Sequence, residues 1–562
     1  MINTVQRLEF ENVYPEEKKK EILEYLNKVS SFTLLNIIGF SNTTPQPNFD
    51  NITSNSEIQN DIIERVIKYS RENSIKEKPE LVSREASLKL AEIILANKDF
   101  LIENNKNSDR DLDELNLFKS FLIINKEVNS KQKLISSDDN FDKMVDMMIA
   151  MSFPTSDLGI FENNDFEFGK LIYSTIVRFE LLLEFLQSKV EYAYLVNNLY
   201  EYFNLENLGE LNVQMKYLFG KLLELKQKNG FKFRVEDEKA LLFLNTLVSN
   251  EIIEDDDFTN LKNHPLYKID ENTFSIIDFF FVVDKFTKSV KFILKSAFHK
   301  HHNLPAKDRT FFSFFNTKFS EEYLMQRILD KFYFKKYFIK KEIKETQENE
   351  PDYYIRHNNK IYLFENKDVL IAKDIKSSGN IDKINKVLKS KFLETDNKPI
   401  GIGQLVTSIA QIVENNFHYD DYVNSKNNFT IYPILLVSDR IFEILGVNYR
   451  LNQWYLDLVK VKLGNKYDPR QIKNLTVIDI DTLIFWLPYL EKSDNNFRII
   501  IDDHLKRMTT KKKINHRNPE EVLRIVNKNL TEQLSPISTR FNEYRFPKDL
   551  LIDKFREVTT KE

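Results

Sequence analysis

Apolar residues recur at spacings of three and four along most of the first 300 residues. The stretches with the clearest pattern are Glu57–Tyr69, Ala86–Ala96, Asp139–Met151 and Phe168–Phe203. Such spacing is typical of amphipathic helices, and no strand-like alternation of comparable strength interrupts it. The pattern therefore predicts an all-helical N-terminal domain over residues 1–305.

The pattern changes at a polar, proline-containing segment, His299–Thr310, which we interpret as a domain boundary. The elements predicted beyond it are one helix and three short β-like runs, Ser320–Phe332, Tyr337–Lys344, Tyr353–His357 and Lys360–Phe364. The Asn358-Asn359 dipeptide between the last two runs is typical of a two-residue hairpin turn. A β-hairpin is therefore expected at this point of the chain.

Two helices and two strands are predicted next, at Ile381–Phe392, Gln404–Asn415, Thr430–Val437 and Leu475–Ile478. Thr430–Val437 is apolar on both faces, as expected of a strand inside a covered sheet. The order α-β-β-β-α-β predicts an α/β sandwich over residues 315–480. Residues 481–562 are predicted to form a mostly helical C-terminal extension, so the expected fold class is α+β and multidomain.

The composition narrows the chemistry that the chain can perform. None of its 562 residues is cysteine, which excludes disulfides, thiolate zinc sites and cysteine nucleophiles. Walker loops, dinucleotide-binding glycine motifs and Gly-x-Ser-x-Gly elbows do not occur, so ATP hydrolysis and esterase chemistry have no support. No apolar run reaches the roughly 20 residues of a membrane span, and no signal-peptide pattern is recognisable. We therefore expect a cytoplasmic protein without a membrane segment.

Charge is distributed unevenly along the chain. Residues 1–300 carry 37 Lys and Arg against 49 Asp and Glu, a net charge of −12, whereas residues 301–562 carry 44 against 36, a net charge of +8. The C-terminal part is therefore the one suited to a polyanion such as nucleic acid. Basic clusters are also common on solvated faces that bind nothing.

Three residues near the predicted hairpin have the chemistry of a metal-dependent hydrolase. Asp352 opens one strand and Glu365 ends the next, so the hairpin would bring both carboxylates into one cleft. Lys367 would face the same cleft, because residues i and i+2 of an extended segment share a face. Two carboxylates can hold Mg²⁺ or Mn²⁺ beside a phosphodiester, and an ammonium can orient the attacking water.

Glu350-Pro351-Asp352, followed by the aliphatic strand and Glu365-Asn366-Lys367, resembles the PD-(D/E)XK superfamily of restriction-endonuclease-like nucleases. Proline followed by aspartate occurs once in the chain, and of the E-x-K matches only this one ends an aliphatic strand. The resemblance covers residues 315–440. It implies a restriction-endonuclease-like sandwich, catalytic roles for Asp352, Glu365 and Lys367, and Mg²⁺ or Mn²⁺ held by Asp352, Glu365 and Asn366.

The resemblance also implies two further site residues. In the family a helix before the strands often contributes a glutamate, and we assign this role to Glu321 rather than to its neighbour Glu322. The alternative for either residue is an exposed acidic helix N-terminus. Gln404 corresponds to a glutamine that lies near the phosphate in some members, although Ser408 stands where those members have a tyrosine.

The predicted function is metal-dependent hydrolysis of nucleic acid, with DNA favoured over RNA. Restriction, repair or anti-phage defence would be a setting by analogy alone. The N-terminal domain would bind a protein partner or a trigger, and cleavage of both duplex strands would favour a homodimer. The alternative is a degenerate nuclease fold that binds nucleic acid or protein without cleaving. Divalent-metal dependence of phosphodiester cleavage separates the two.

Overall fold

The structure is a computed structural model. It describes residues 6–43, 52–75, 78–102, 109–130, 141–159, 164–332, 338–341, 351–396, 398–425, 428–492, 496–509, 518–543 and 553. Its α-helices, α1 to α26 in chain order, are Phe10–Val13, Ile22–Leu26, Ser31–Ile37, Ser56–Glu72, Arg84–Ala96, Lys98–Leu101, Arg110–Ser130, Phe141–Ser152, Asp165–Gln187, Ala193–Tyr202, Leu208–Gln227, Glu238–Asn245, Thr259–Asn263, Phe279–Asp284, Val290–His302, Thr310–Phe315, Gln326–Leu329, Lys373–Lys376, Ile381–Phe392, Ile402–Val413, Asp421–Asn424, Val447–Leu463, Ile480–Leu490, Asn496–Thr509, Pro519–Leu534 and Ser538–Phe541.

The remaining regular elements are strands and short non-α helices. The strands, β1 to β10, are Lys232–Arg234, Leu266–Lys268, Thr273–Ile276, Phe338–Lys341, Tyr353–His357, Lys360–Lys367, Glu394–Thr395, Lys398–Pro399, Thr430–Val437 and Thr476–Asp479. The 3₁₀ turns are Phe40–Asn42, Val190–Tyr192, Arg440–Glu443 and Gly464–Lys466. Two π-helical segments are Lys285–Ser289 and Asn316–Met325.

A five-stranded mixed sheet organises the C-terminal half, in the order β10-β9-β6-β5-β4. β4, β5 and β6 are antiparallel, whereas β6, β9 and β10 are parallel. The predicted hairpin is confirmed, since His357 pairs with Lys360. Asn358 has a φ of 54°, a left-handed conformation that asparagine tolerates better than most residues. The sheet therefore turns tightly at the end opposite to Asp352.

Helices cover both faces of this sheet. Alternate residues of β6 face opposite sides, so Tyr362 and Phe364 join one apolar core while Ile361 and Leu363 join the other. The first core also contains residues of α9, α23, α24 and the helical run from residue 310 to residue 329. The second contains residues of α8, α19, α20 and α22. The described residues thus form a mixed α and β structure in which helices cover a mixed sheet, as the α+β fold class predicts.

The N-terminal half is mainly but not entirely helical. It contains a three-stranded antiparallel sheet in the order β1-β3-β2, so the prediction of an all-helical domain is wrong at this point. Each of these strands has only three or four residues, too few for an alternating pattern to stand out. A third apolar core, drawn from residues 8–128, 158 and 258–281, lies in this half.

Apolar packing crosses the boundary that we predicted near residue 305. The core on one face of the five-stranded sheet extends along the chain from Phe168 to Phe541. Val145 and Ile149 of α8 belong to the core on the other face. Residues before 305 therefore supply part of the layers that cover the five-stranded sheet.

The C-terminal extension is helical where it is described. None of the described helices is long and apolar enough to cross a membrane.

Candidate active site

The register of β5 and β6 places the predicted carboxylates opposite each other. Tyr353 pairs with Phe364, so Asp352 and Glu365 form the next position of the ladder. Glu365 faces the same side of the sheet as Leu363, two residues before it, and Asp352 faces the same side as Tyr354. Leu363 and Tyr354 both belong to the second core. Both carboxylates therefore face the side of the sheet that is covered by α19, α20 and α22.

Hydrogen bonds join these residues closely. The Asn366 backbone N–H donates to Asp352 Oδ2 at 2.7 Å, and Lys367 Nζ donates to Glu365 Oε2 at 3.2 Å. Glu365 is fully buried, and Asp352 is 6% exposed. The predicted triad of Asp352, Glu365 and Lys367 is therefore assembled at one strand end.

Burial and neighbouring charges shift the pKa values of all three groups. It raises the pKa of Asp352 to about 6, against the opposing effect of the Lys367 ammonium. It raises the pKa of Glu365 well above its usual range, and the Asp352 charge adds to this. Burial alone would lower the pKa of Lys367, but the charges of Glu365 and Asp352 outweigh it and raise that pKa. The positive charge beside the two carboxyls is thus too small for both to ionise easily at the same time.

Glu321 lies within electrostatic reach of the triad. Its charge raises the pKa of Asp352, Glu365 and Lys367 alike. It belongs to the π-helical segment Asn316–Met325, and such segments are frequent at functional sites. The neighbouring Glu322 instead pairs with Lys318 at 2.9 Å. Glu321 therefore acts on the triad through its charge, whereas Glu322 is paired with Lys318 on the same segment.

Gln404 lies near the triad but is engaged elsewhere. Its Oε1 accepts the backbone N–H of Gly401 at 2.8 Å at the start of α20. A Cβ on Gly401 would lie 3.3 Å from Lys367 Cε, so this helix N-terminus abuts the lysine. Ser408, at the position of the family's tyrosine, is fully buried, and its Oγ has no hydrogen-bond partner. The glutamine caps its own helix in this conformation.

The residues of this site fit a divalent cation. Among the residues that the structure describes, buried Glu365 Oε1 has no hydrogen-bond partner. A buried carboxylate oxygen left unpaired is costly, and a hard cation would satisfy it. Asp352 Oδ1 and Glu321 could supply further oxygens. Over the part of the chain that the structure describes, no three His, Cys, Asp or Glu side chains already converge on one ion position. Glu321 would therefore have to move for it to complete such a set.

Three residues beside the triad were not predicted from the sequence as site residues. Asp368 follows Lys367 directly, and its Oδ2 accepts a 2.6 Å hydrogen bond from the Ser320 hydroxyl. Lys291 Nζ forms an ion pair with the same carboxylate at 2.9 Å. Adjacency to Lys367 and to Glu321 was the only available signal for Asp368 and Ser320. Lys291 had none, because it lies on the other side of the predicted domain boundary.

Comparison with known proteins adds nothing to this picture. No family model matches the chain, and no curated protein or solved structure is significantly similar to it.

Proposed function

We propose that this protein is a metal-dependent nuclease of the PD-(D/E)XK type that hydrolyses phosphodiester bonds. One observation carries the proposal. Asp352 and Glu365 face each other across β5 and β6, Lys367 lies on the same face, and one buried Glu365 oxygen has no hydrogen-bond partner within the described part of the chain. An ordinary surface hairpin has no reason to bury two carboxylates side by side, because burial penalises their charged forms. A cation bound between the two carboxylates would offset this penalty and account for the arrangement.

Each residue would have a distinct role. Asp352 and Glu365 would hold Mg²⁺ or Mn²⁺, and Asn366 stabilises Asp352 through its backbone N–H. The bound cation would supply Lewis acidity and neutralise charge on the phosphate. Lys367 would orient the attacking water and offset developing negative charge with its ammonium. Glu321 would complete the acidic side of the site after a side-chain movement, and Gln404 would keep α20 in place beside Lys367.

The wider setting is part of the proposal. The +8 charge of residues 301–562 supports nucleic acid as the substrate, with DNA favoured. Residues touching only phosphate do not distinguish DNA from RNA. We propose a cytoplasmic protein whose N-terminal half binds a protein partner or trigger. Anti-phage defence is a setting by analogy alone. Cleavage of both strands of a duplex would favour a homodimer.

Cleavage assays on the full chain test the proposal. Purified protein would be incubated with labelled single- and double-stranded DNA and RNA, with Mg²⁺, with Mn²⁺ or with EDTA. We expect cleavage with either metal, none with EDTA, and none by Asp352→Ala. Asp457→Ala, an exposed carboxylate of α22, is the control and should cleave as the wild type does. Nucleic-acid binding without cleavage in any metal would instead favour the non-catalytic module.

A further inference from the structure

A layer of buried and partly buried ion pairs joins the two halves of the chain beside the candidate site. Four pairs surround a small cavity of about 30 Å³ at the carboxyl ends of β6, β9 and β10. The pairs are Lys291–Asp368 at 2.9 Å, Lys288–Asp439 at 2.9 Å, Arg440–Asp284 at 2.9 Å and Arg178–Asp481 at 3.6 Å. In each pair one partner precedes residue 292 and the other follows residue 367. We call these eight residues the charged layer.

One pair of the charged layer is connected to the candidate site. Asp368 follows Lys367 directly and also accepts the Ser320 hydroxyl. Ser320 precedes Glu321 on the π-helical segment. Lys291 also donates to Asn316 Oδ1 at 3.1 Å, at the start of that segment. Lys291 therefore contacts both the strand end that bears Glu365 and Lys367 and the helix that bears Glu321.

These contacts leave little freedom of movement. The side chains of Lys291 and Asp368 are 5% and 6% exposed, and Ser320 is 2% exposed. A buried charge needs its partner, because water is not available to replace it. Catalytic constellations work only when supporting residues hold them within about 0.5 Å of the productive geometry. The distance between Glu321 and the end of β6 is thus fixed by Asp368, Ser320 and Lys291.

We infer that Lys291 is a positioning residue. Through Asp368 and Ser320 it sets the position of Glu321 relative to Glu365 and Lys367. The metal site thereby depends on the N-terminal half. The inference rests on the proposed function. The other three pairs of the charged layer reach β9, β10 or the loops after them. Arg178 acts on Asp368 through its charge, whereas Lys288 and Arg440 pair with Asp439 and Asp284 instead. Lys288, three residues before Lys291 in the chain, thus provides a matched comparison.

The test compares Lys291→Met with Lys288→Met in the full chain. Each removes one paired ammonium from the charged layer, so both should lower the melting temperature. For Lys291→Met alone we expect Mn²⁺ affinity, measured by calorimetry or electron paramagnetic resonance, to fall about 10-fold or more. Its kcat should fall by a similar factor, with KM for nucleic acid changed less than about twofold. Equal Mn²⁺ affinity in the two variants would overturn the inference.

Ser320→Ala keeps the test decisive if Lys291→Met does not fold. It removes one hydroxyl and no charge, and it should lower Mn²⁺ affinity and kcat in the same direction. Wild-type Mn²⁺ affinity in Ser320→Ala would overturn the inference while leaving the proposed function intact. A wild-type protein that binds Mn²⁺ but cleaves no nucleic acid would overturn the proposed function instead. The Mn²⁺ comparison would still decide whether Ser320 and Lys291 position the site.

Discussion

At the scale of single residues, the candidate site places negative charge where water cannot reach it. Asp352 and Glu365 lie at opposed positions of β5 and β6, and Lys367 is the cation that pairs with Glu365. Two buried carboxylates with one ammonium are poorly compensated, which is the physical reason that both pKa values are raised. The site is therefore unfavourable for stability as it stands, and the cation of the proposed function would compensate its charge.

This imbalance predicts how stability depends on pH. The pKa of Asp352 is about 6 in the folded state and 3.8 in the unfolded chain, so between these values the folded state binds more protons. Its contribution to the free energy of unfolding therefore decreases as pH rises from about 4 to above 6. Asp352→Asn cannot ionise, and above pH 6 without divalent ions it should be more stable than wild type, on the order of 1–3 kcal/mol.

Urea denaturation in EDTA between pH 4 and pH 8 measures this difference. Asp457→Asn, at an exposed position, is the control and should follow the wild-type curve. Saturating Mg²⁺ should stabilise the wild type much more than Asp352→Asn, because the ligand binds only the intact site. An Asp352→Asn protein that is less stable than wild type at pH 8 would contradict the account of uncompensated charge.

Lys367 gives the most specific prediction about chemistry. Lys367→Ala should lower the cleavage rate on the order of 10²-fold or more, because its ammonium acts mainly in the transition state. Nucleic-acid affinity should change much less. Lys367→Arg should not restore the rate, since a planar guanidinium places its donors differently from a compact ammonium.

The control for Lys367 lies on the same strand. Lys360 is at the opposite end of β6, where its Nζ contacts Asn359 Oδ1 at 3.4 Å. Lys360→Ala should leave the cleavage rate nearly unchanged. If the two substitutions reduced rate and binding equally, the strand would be a basic surface and the nuclease proposal would lose its main support.

At the scale of elements, the start of α20 limits where Lys367 can lie. Gly401 has a φ of 50°, and a Cβ there would lie 3.1 Å from Phe392 O and 3.3 Å from Lys367 Cε. Gly401→Ala should lower stability by about 1–2 kcal/mol through backbone strain. It should also lower the cleavage rate, because the new methyl group displaces the lysine by a few tenths of an ångström.

Gly464 separates these two effects. It has a φ of 52°, and a Cβ there would meet nothing within 4 Å. Gly464→Ala should therefore lower the stability, and with it the melting temperature, about as much as Gly401→Ala does. Cleavage per folded molecule should stay at the wild-type level. Comparing melting temperatures and single-turnover rates of the two variants checks the prediction. Equal rates would show that Lys367 tolerates the closer contact.

The sequence predicted the elements whose pattern is local. β5 and β9 have the predicted bounds, as does the helix Ile381–Phe392, because each is a run of regular periodicity. β6 continues three residues past its predicted end, since polar Glu365 to Lys367 interrupt the apolar run while the pairing with β9 continues. The Lys291–Asp368 pair was not predictable, because nothing local in a sequence marks the partner of a distant charge.

At the scale of the whole molecule, the boundary near residue 305 separates two charge regimes but not two packed bodies. Phe168 and Phe179 of α9 lie in the core that covers one face of the five-stranded sheet, and α8 contributes to the other face. The charged layer adds four ion pairs across the same boundary. The proposed binding of nucleic acid by the basic half therefore has to be tested in the full chain.

A fragment of residues 301–562 should consequently fail to fold alone. Its sheet would expose apolar surface on both faces, and four charges of the charged layer would lose their partners. We expect no cooperative thermal transition and little soluble protein. The matched measurement is the same thermal scan of the full chain. A cooperative transition of the isolated fragment, with salt-sensitive binding of DNA, would show that the two regions are independent after all.

The spread of the sheet's covering layers along the chain also affects the order of events during synthesis. The layers come from residues as early as Val145 and as late as Phe541. Ribosomes add about 5–20 residues per second, and N-terminal segments emerge first. The strands that bear Asp352 and Glu365 thus leave the ribosome many seconds before their last covering helices exist. The candidate site can reach its buried geometry only after the residues up to Phe541 have left the ribosome, which delays any activity until that point.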